Sequence, residues 1–221
     1  WQESLRKLNT KRVKSSILFT ISLFIILFMG FWFSLPKPLF HTPTSYVIED
    51  EKGMLLGASI AKDGQWRFPA VNEVPEKFRQ CIITFEDKRF YCHQGVDPVA
   101  MLRALVKNLK NKQVISGGST ISMQLVKNVY LSRQKTLARK IEEILLVWII
   151  ENGRLCSKQR MFEVYLNLIE WGANIYGIGE ASHFYFGKRP ADLNLGEGIF
   201  LTSIVPRPKS GLHFFEPDGH L

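Results

Sequence analysis

The sequence predicts a mainly α domain with a small β element at its start, preceded by one transmembrane helix. The membrane helix is indicated by residues 17–35, a run of 19 residues without a charge, close to the ~20 apolar residues that cross a bilayer as a helix. The α domain is indicated by apolar residues that recur three and four positions apart from Pro75 onward.

The formal net charge of +9 is unevenly spread along the 221 residues. Residues 1–14 hold five Lys or Arg side chains against one Glu, immediately before the apolar run. By the positive-inside rule this cluster predicts a cytoplasmic basic tail at residues 1–16, with everything after residue 35 outside the cytoplasm. A cleaved signal peptide is disfavoured because the run ends in bulky rather than small residues. No nucleic-acid motif accompanies the remaining basic residues, so no nucleic-acid partner is expected.

Residues 36–70 are predicted to form a stalk and a small β element. Three prolines lie within residues 36–44, as in a short extended segment. Runs compatible with β-strands follow at 46–49, 54–60 and 65–68. Beyond them, periodicity and capping residues predict a helix that ends near Phe85 and helices at 97–109, 121–130, 136–152, 158–167, 177–186 and 195–205.

The segment EDKRFYCHQGVD, residues 86–97, is dense in ionisable groups directly after an apolar helix. A carboxylate at such an edge can be partly desolvated, which raises its pKa toward the range of a general base. From the residues alone, Glu86 remains either such a base or a solvated surface charge. Asp97, followed by Pro98, is interpreted as a helix cap, and His93 as a hydrogen-bonded structural residue.

Two further segments carry polar groups at helical spacing. In GGSTISMQLVKN, residues 117–128, glycines lead into a helix N-terminus, which is either a phosphate site or an ordinary capped start. Arg139 and Glu143 are four residues apart on a mostly apolar face. They form either a surface ion pair worth about 0.3–0.5 kcal/mol or a site for a diphosphate and a divalent ion.

A fourth segment, residues 163–188, consists mainly of residues that pack. Tyr165 and Leu166 supply apolar bulk, and the glycines permit tight turns. Glu163 and Asn167 are four residues apart on one helix face and are candidates to point into a cleft.

Together and in this order, these segments resemble the signature blocks of the peptidoglycan glycosyltransferase family. That family comprises monofunctional transglycosylases and the glycosyltransferase module of class A penicillin-binding proteins. The blocks read EDKRFYCHQGVD, GGSTISMQLVKN, RKIEE and EVYLNLIEWGANIYGIGEASHFYFGK, and LGEGIFLTSIVPRPK resembles the closing block. The resemblance covers nearly all of residues 71–209 and implies a lysozyme-like, two-lobed glycosyltransferase domain at 71–221.

The resemblance also implies roles for individual residues. Glu86 matches the general base that deprotonates the acceptor sugar 4-hydroxyl. Glu143 matches a second catalytic carboxylate, near the donor diphosphate and its divalent cation, Mg or Mn. Residues that match substrate-binding positions are Asp87, Ser119, Thr120, Gln124, Lys127, Arg139 and Lys140, and the three cations among them match diphosphate contacts.

The activity implied is a polymerase that transfers the lipid-pyrophosphate-linked growing glycan onto the 4-hydroxyl of lipid II, with inversion at the anomeric carbon. The implied partners are lipid II, nascent peptidoglycan, the membrane and other cell-wall synthesis proteins. The implied location is the bacterial cytoplasmic membrane, crossed once, with the catalytic domain on its outer, periplasmic face.

The sequence departs from the family pattern at a few places. Ser122-Met123 stands where many members have Thr-Gln, and the closing block has Ser203-Ile204-Val205-Pro206 where a Gly-Leu-Pro run is usual. The tetrapeptide SRQK at 132–135 matches the SxxK of transpeptidases, but no SxN or KTG partner occurs among the 221 residues. No transpeptidase domain is therefore expected in this sequence.

Two other functions compete with polymerisation. A lysozyme-like hydrolase also uses two carboxylates to cleave glycans, but it has little use for three cations at a neutral glycosidic bond. A non-catalytic membrane scaffold of the same fold is the other alternative.

Overall fold

The computed structural model describes residues 2–40, 45–49, 55–59, 62, 73–113, 115, 117–132, 134 and 136–210. The chain divides into two compact units, residues 1–41 and 42–221. The strand predicted at 65–68, two residues of the SRQK tetrapeptide and residues 211–221 lie outside the described parts.

The first unit contains one long helix, α1 (Gln2–Ser34). Its stretch Val13–Ser34 has 22 residues, a mean hydropathy of 2.3 and no buried part, so it is long and apolar enough to cross a membrane. This confirms the apolar helix predicted at 17–35. The basic residues before it continue the same helix, because no Gly or Pro interrupts residues 2–16 and most of them are good helix formers.

The second unit is mainly helical, which confirms the predicted fold class. Its two-lobed, lysozyme-like form stays a prediction. A β-hairpin comes first, in which β1 (Tyr46–Glu49) pairs antiparallel with β2 (Leu55–Ser59). The helices are α2 (Glu76–Glu86), α3 (Pro98–Asn111), α4 (Ile121–Tyr130), α5 (Leu137–Asn152), α6 (Lys158–Leu168), α7 (Ile178–Phe186) and α8 (Leu195–Ile204).

Side-chain caps set the starts of most of these helices. In each case an oxygen of the residue before the helix accepts a hydrogen bond from a backbone N–H three residues later. The caps are Asp97 for α3, Thr120 for α4, Thr136 for α5, Ser157 for α6 and Asn194 for α8. Because these signals are local, the predicted bounds agree with the observed ones to within one or two residues.

A short hairpin and a 3₁₀ turn were not predicted. β3 (Glu170–Gly172) pairs antiparallel with β4 (Ile175–Tyr176), and Pro190–Asp192 form the 3₁₀ turn. The buried Trp171 fastens the hairpin, since its indole N–H donates to the carbonyl of Leu166 at 3.3 Å. Elements of two or three residues have no periodicity from which to predict them.

Helix α4 lies at the centre of the core and packs against both α5 and α6. Ile121, Met123, Leu125 and Val126 are fully buried. On another side of the core, α2 packs against α8. A Cβ atom at Gly198 would lie 3.1 Å from the Phe78 ring, so the absence of a side chain lets these two helices approach closely. The burial of α4 places its polar residues at fixed positions.

Asp97 is predicted to give the folded chain acid-sensitive stability. The hydrogen bond from Arg89 lowers the pKa of Asp97 from 3.8 to about 2. Since the folded state then releases this proton at lower pH than the unfolded chain, the stabilisation is present above 3.8 and is lost as the pH falls toward 2. In Asp97→Asn, which keeps a good N-cap, the free energy of unfolding should lose this dependence.

The measurement is chemical unfolding of the detergent-solubilised chain between about pH 5 and about pH 2. Asp192→Asn is the control, because it removes an exposed pair with Arg189 that solvent screens. An unchanged acid dependence in Asp97→Asn would contradict the assignment.

Candidate functional site

Glu86 is the last residue of α2 and is held from α4. Phe78 and Ile82 bury one side of α2 and fix the direction in which its end points. The Glu86 carboxylate is half-buried, and its Oε2 accepts a hydrogen bond from Gln124 Nε2 at 2.7 Å. Glu86 and Gln124, predicted separately as base and substrate-binding residue, therefore form one unit.

The surroundings of Glu86 shift its pKa upward. Burial is the largest cause and raises the pKa, and the negative charge of Asp87 acts in the same direction. The hydrogen bond from Gln124 and the positive charge of Lys127 act against them. A carboxylate whose pKa is raised toward neutrality is a better proton acceptor when ionised, as general base catalysis requires.

Tyr165 on α6 orients the amide of Gln124. Its hydroxyl donates to Gln124 Oε1 at 3.2 Å, which leaves Gln124 Nε2 to donate to Glu86. Burial raises the pKa of Tyr165 well above its usual value, so its hydroxyl keeps the proton that it donates. The sequence indicated only packing for Tyr165, because nothing local shows that α6 lies against α4.

The carboxylate of Asp87 is used inside the protein. It is buried, and its Oδ2 accepts the backbone N–H of Ile121, the first residue of α4, at 3.1 Å. Both of its oxygens lie 3.0 Å from His93 Nε2. This confirms the structural interpretation of His93. A substrate contact for Asp87 stays a prediction, although its burial favours a supporting role.

Backbone N–H groups at the start of α4 are hydrogen-bonded to side chains of the protein. Thr120 is buried, accepts the N–H of Met123 and donates its hydroxyl to the carbonyl of Gly95 at 2.5 Å. Gly95 has a φ of 84°, and a Cβ there would overlap Val147. The anion at this helix N-terminus is thus the Asp87 carboxylate, and two backbone N–H groups of the first turn have partners within the protein.

A second cluster surrounds Glu143 on α5. Glu143 is 1% exposed, and its two oxygens bind Arg139 Nη1 at 2.7 Å and Lys140 Nζ at 2.5 Å. Lys140 also donates to Ser119 Oγ at 2.8 Å, which joins the cluster to the segment before α4. Within the described residues, Arg139 Nε is buried without a hydrogen-bond acceptor. The cluster carries one surplus positive charge and an unused donor, as an anion site requires.

The residues at Glu143 do not by themselves fit a divalent cation. Both oxygens of Glu143 already bind cationic side chains, which would repel a metal ion. No group of three or more His, Cys, Asp or Glu residues within the described ranges is arranged to hold a metal. Mg²⁺ and Mn²⁺ prefer several oxygen ligands.

Other residues singled out in the sequence contact neighbours on their own helix or lie inside the core. Glu163 pairs with neighbours on its own helix, accepting from Gln159 at 3.2 Å and lying 3.5 Å from Arg160. Ser122 and Met123, where the sequence departs from the family pattern, are both fully buried. Met123 therefore serves packing.

A helical domain that presents a partly desolvated carboxylate and a neighbouring cluster of cations is suited to activate a hydroxyl and to stabilise an anionic leaving group. The chain belongs to the transglycosylase family, whose model, described as "Transglycosylase", matches residues 53–217.

Relatives of named function support this membership. The chain is 38% identical over 170 residues to the biosynthetic peptidoglycan transglycosylase of Nitrosomonas eutropha. These residues are 77% of this chain and 69% of that protein. It is 40% identical over 145 residues to the protein of the same name from Acinetobacter baylyi, covering 66% of this chain and 63% of the relative.

A longer relative matches almost the whole chain. Penicillin-binding protein 1F of Bacillus subtilis is 34% identical over 207 residues, which are 93% of this chain and 28% of that protein. The chain thus spans less than two thirds of the length of the Acinetobacter relative and less than one third of the Bacillus relative.

The Gln124 hydrogen bond is predicted to hold the pKa of Glu86 down. In Gln124→Met the carboxylate loses its donor, so its pKa should rise further above the usual range. Carboxyl ¹³C NMR of glutamate-labelled protein, with Glu86→Gln to assign the signal, measures the shift.

Gln80→Met is the matched control. Gln80 Nε2 donates to Glu76 Oε1 at the same 2.7 Å, but on an exposed face of α2. In Gln80→Met the Glu86 signal should titrate as in the unaltered protein. An unshifted Glu86 signal in Gln124→Met would contradict the prediction.

Proposed function

We propose that this chain polymerises peptidoglycan glycan strands, transferring a lipid-pyrophosphate-linked glycan onto the 4-hydroxyl of lipid II. The observation that carries the proposal is a carboxylate of raised pKa, Glu86, bound to α4 through Gln124, together with the cation cluster at Glu143, bound to Ser119 just before α4. The names of the relatives from Acinetobacter and Nitrosomonas supply the substrate class.

Glu86 acts as the general base on the acceptor. Its ionised carboxylate takes the proton of the 4-hydroxyl as the oxygen attacks the anomeric carbon of the donor sugar. Gln124 keeps the carboxylate oriented, and burial keeps it basic enough to accept a proton. Attack from the face opposite the leaving group gives inversion without a covalent enzyme intermediate.

The cations stabilise the departing diphosphate. Negative charge builds on the leaving oxygen as the glycosidic bond breaks, and fixed positive groups lower the energy of that state. Arg139 and Lys140 are held in place by the buried Glu143. Lys127 lies on α4, three residues beyond Gln124, and its charge already lowers the pKa of Glu86. Lys127, Arg139 and Lys140 would together supply the positive charge that stabilises the departing diphosphate.

Hydrolysis of a neutral glycan fits this site less well. A neutral glycan releases a sugar alcohol when it is cleaved, so a hydrolase has little use for Arg139 and Lys140, which the buried Glu143 holds in place. The expected divalent cation stays a prediction, for the complex with diphosphate, whose oxygens would supply most of its ligands.

The protein is proposed to act at the outer face of the bacterial cytoplasmic membrane, with its N-terminus in the cytoplasm. Besides α1, helix α3 supports this location. Ala104 is its buried residue, and an apolar face is exposed at Val99, Leu102, Leu105, Val106 and Leu109. Arg103, Lys107 and Lys110 lie beside these residues. Apolar residues flanked by basic ones are typical of a helix in the interface of anionic membranes.

Glu86→Gln is predicted to abolish polymerisation while leaving the fold intact. Amide replaces a carboxylate that is already half-buried, so the thermal midpoint should change little, whereas loss of a general base lowers kcat by about 10²–10⁴. The measurement is gel separation of glycan strands made from labelled lipid II.

Glu180→Gln is the matched control, since burial also raises the pKa of Glu180, on α7. It should polymerise normally. Release of short sugars without long strands by the unaltered chain would contradict the proposal and favour the hydrolase, whereas unchanged polymerisation by Glu86→Gln would exclude this base.

The exposed apolar face of α3 is predicted to increase polymerisation only when a membrane is present. In the double variant Leu102→Gln and Leu109→Gln, two side chains that each contribute about 1.5–3 kcal/mol when buried are lost from the interface. Polymerisation in vesicles containing anionic lipid should fall severalfold, with no change in detergent micelles. Phe184→Gln, which alters a similarly exposed side chain on α7, is the control. Equal losses in both media would contradict a membrane contact.

A further inference from the structure

A closed ring of polar contacts begins and ends in the first turn of α4. The backbone N–H of Ile121 donates to Asp87, and the hydroxyl of the next residue, Ser122, donates to Glu151. Between these ends the contacts are His93 Nε2 to Asp87 at 3.0 Å, Lys158 Nζ to His93 Nδ1 at 3.4 Å and Lys158 Nζ to Glu151 Oε2 at 2.8 Å. The ring joins the end of α2, the following loop, α4, α5 and α6.

The geometry assigns the hydrogen of the His93 ring to Nε2. Asp87 accepts at both oxygens, so His93 Nε2 must carry the hydrogen that it donates. His93 Nδ1 faces the ammonium of Lys158 and must therefore be the unprotonated nitrogen that accepts. Lys158 thus selects the Nε2–H tautomer of His93, because the other tautomer would point its N–H at the ammonium.

The ring is largely removed from water. The side chains of Asp87, Glu151 and His93 are 4%, 5% and 7% exposed, and that of Lys158 is 20% exposed. The ammonium of Lys158 also lies 4.4 Å from the centre of the Phe90 ring. A lysine at the first position of a helix normally extends into solvent. Here it turns inward, and breaking such a buried pair by removing one partner is strongly destabilising.

The ring lies directly beside the proposed base. Asp87 follows Glu86 in the chain, and Ile121 precedes Gln124 by three residues on α4. The Asp87 to Ile121 contact therefore fixes the distance over which Gln124 reaches Glu86. His93 sets the direction of the Asp87 carboxylate, and Lys158 sets the tautomer and position of His93.

We propose that Lys158 is a positioning residue for glycosyl transfer, acting through His93 and Asp87 to hold the Glu86 carboxylate against Gln124. The inference rests on the proposed function, in which Glu86 is the base. Lys158 touches neither sugar nor diphosphate in this role. It affects the geometry of proton transfer and leaves substrate affinity unchanged.

The test compares Lys158→Met, Lys158→Arg and Lys188→Met in the full chain in detergent, with lipid II as substrate. Methionine keeps the length of the side chain and removes the donor, so kcat should fall about tenfold or more, as small misplacements of catalytic groups do. KM should stay within about twofold of the unaltered protein. Lys158→Arg keeps a charged donor and should restore most of the kcat.

Lys188→Met is the matched control, because it also removes a lysine that binds a glutamate, Glu197, at 2.6 Å. Its kcat and KM should be unchanged. If Lys158→Met does not fold, Ser122→Ala opens the same ring at a small side chain and should lower kcat by about two- to tenfold, as loss of one hydrogen bond does. A kcat within twofold of the unaltered protein in Lys158→Met, or in Ser122→Ala where Lys158→Met does not fold, would overturn the proposal, as would a rise in KM that accounts for the loss.

A second readout separates this inference from the proposed function. In ¹⁵N NMR of histidine-labelled protein, His93 should carry its proton on Nε2, and its signal should change in Lys158→Met but return in Lys158→Arg. Failure of the unaltered chain to polymerise lipid II would overturn the proposed function alone. A His93 signal that ignores Lys158 would overturn the positioning role whatever the activity.

Discussion

The burial of the Asp87 carboxylate against the first backbone N–H of α4 constrains most of the site. A buried carboxylate is destabilising by several kcal/mol unless its oxygens are satisfied, so the chain must bring His93 and Ile121 to it. Once α4 starts at that point, Gln124 lies within reach of Glu86. The two adjacent carboxylates therefore differ in role: Asp87 holds the start of α4, and Glu86 is available for proton transfer.

The two glutamates of the site differ through their surroundings. Burial raises the pKa of Glu86 more than the hydrogen bond from the neutral Gln124 amide lowers it, which leaves Glu86 able to take a proton. Glu143 is almost fully buried between Arg139 and Lys140, and its two oxygens hold these two cations in place. Two carboxylates of one site can therefore serve different purposes, one in proton transfer and one in positioning cations.

The sequence predicted what is local and missed what depends on distant contacts. Asp97 and Thr120 cap helices whose starts were expected from these residues alone. The hydrogen bond from Tyr165 to Gln124 joins residues 41 positions apart, and the one from Ser122 to Glu151 joins residues 29 apart. No periodicity encodes such pairs. The ion pair of Arg139 with Glu143 was anticipated because helical spacing fixes it, but its burial depended on how α5 packs.

The cations at Glu143 also bear on whether the site is better suited to glycosyl transfer or to glycan cleavage. Around Glu143, the Arg139 guanidinium and the Lys140 ammonium both donate hydrogen bonds to the carboxylate. Cations assist a leaving group that departs as an anion, such as a diphosphate, and give little help to a sugar alcohol, which must be protonated. The electrostatics of α5, more than the number of carboxylates, therefore selects the kind of glycosidic bond that this site can break.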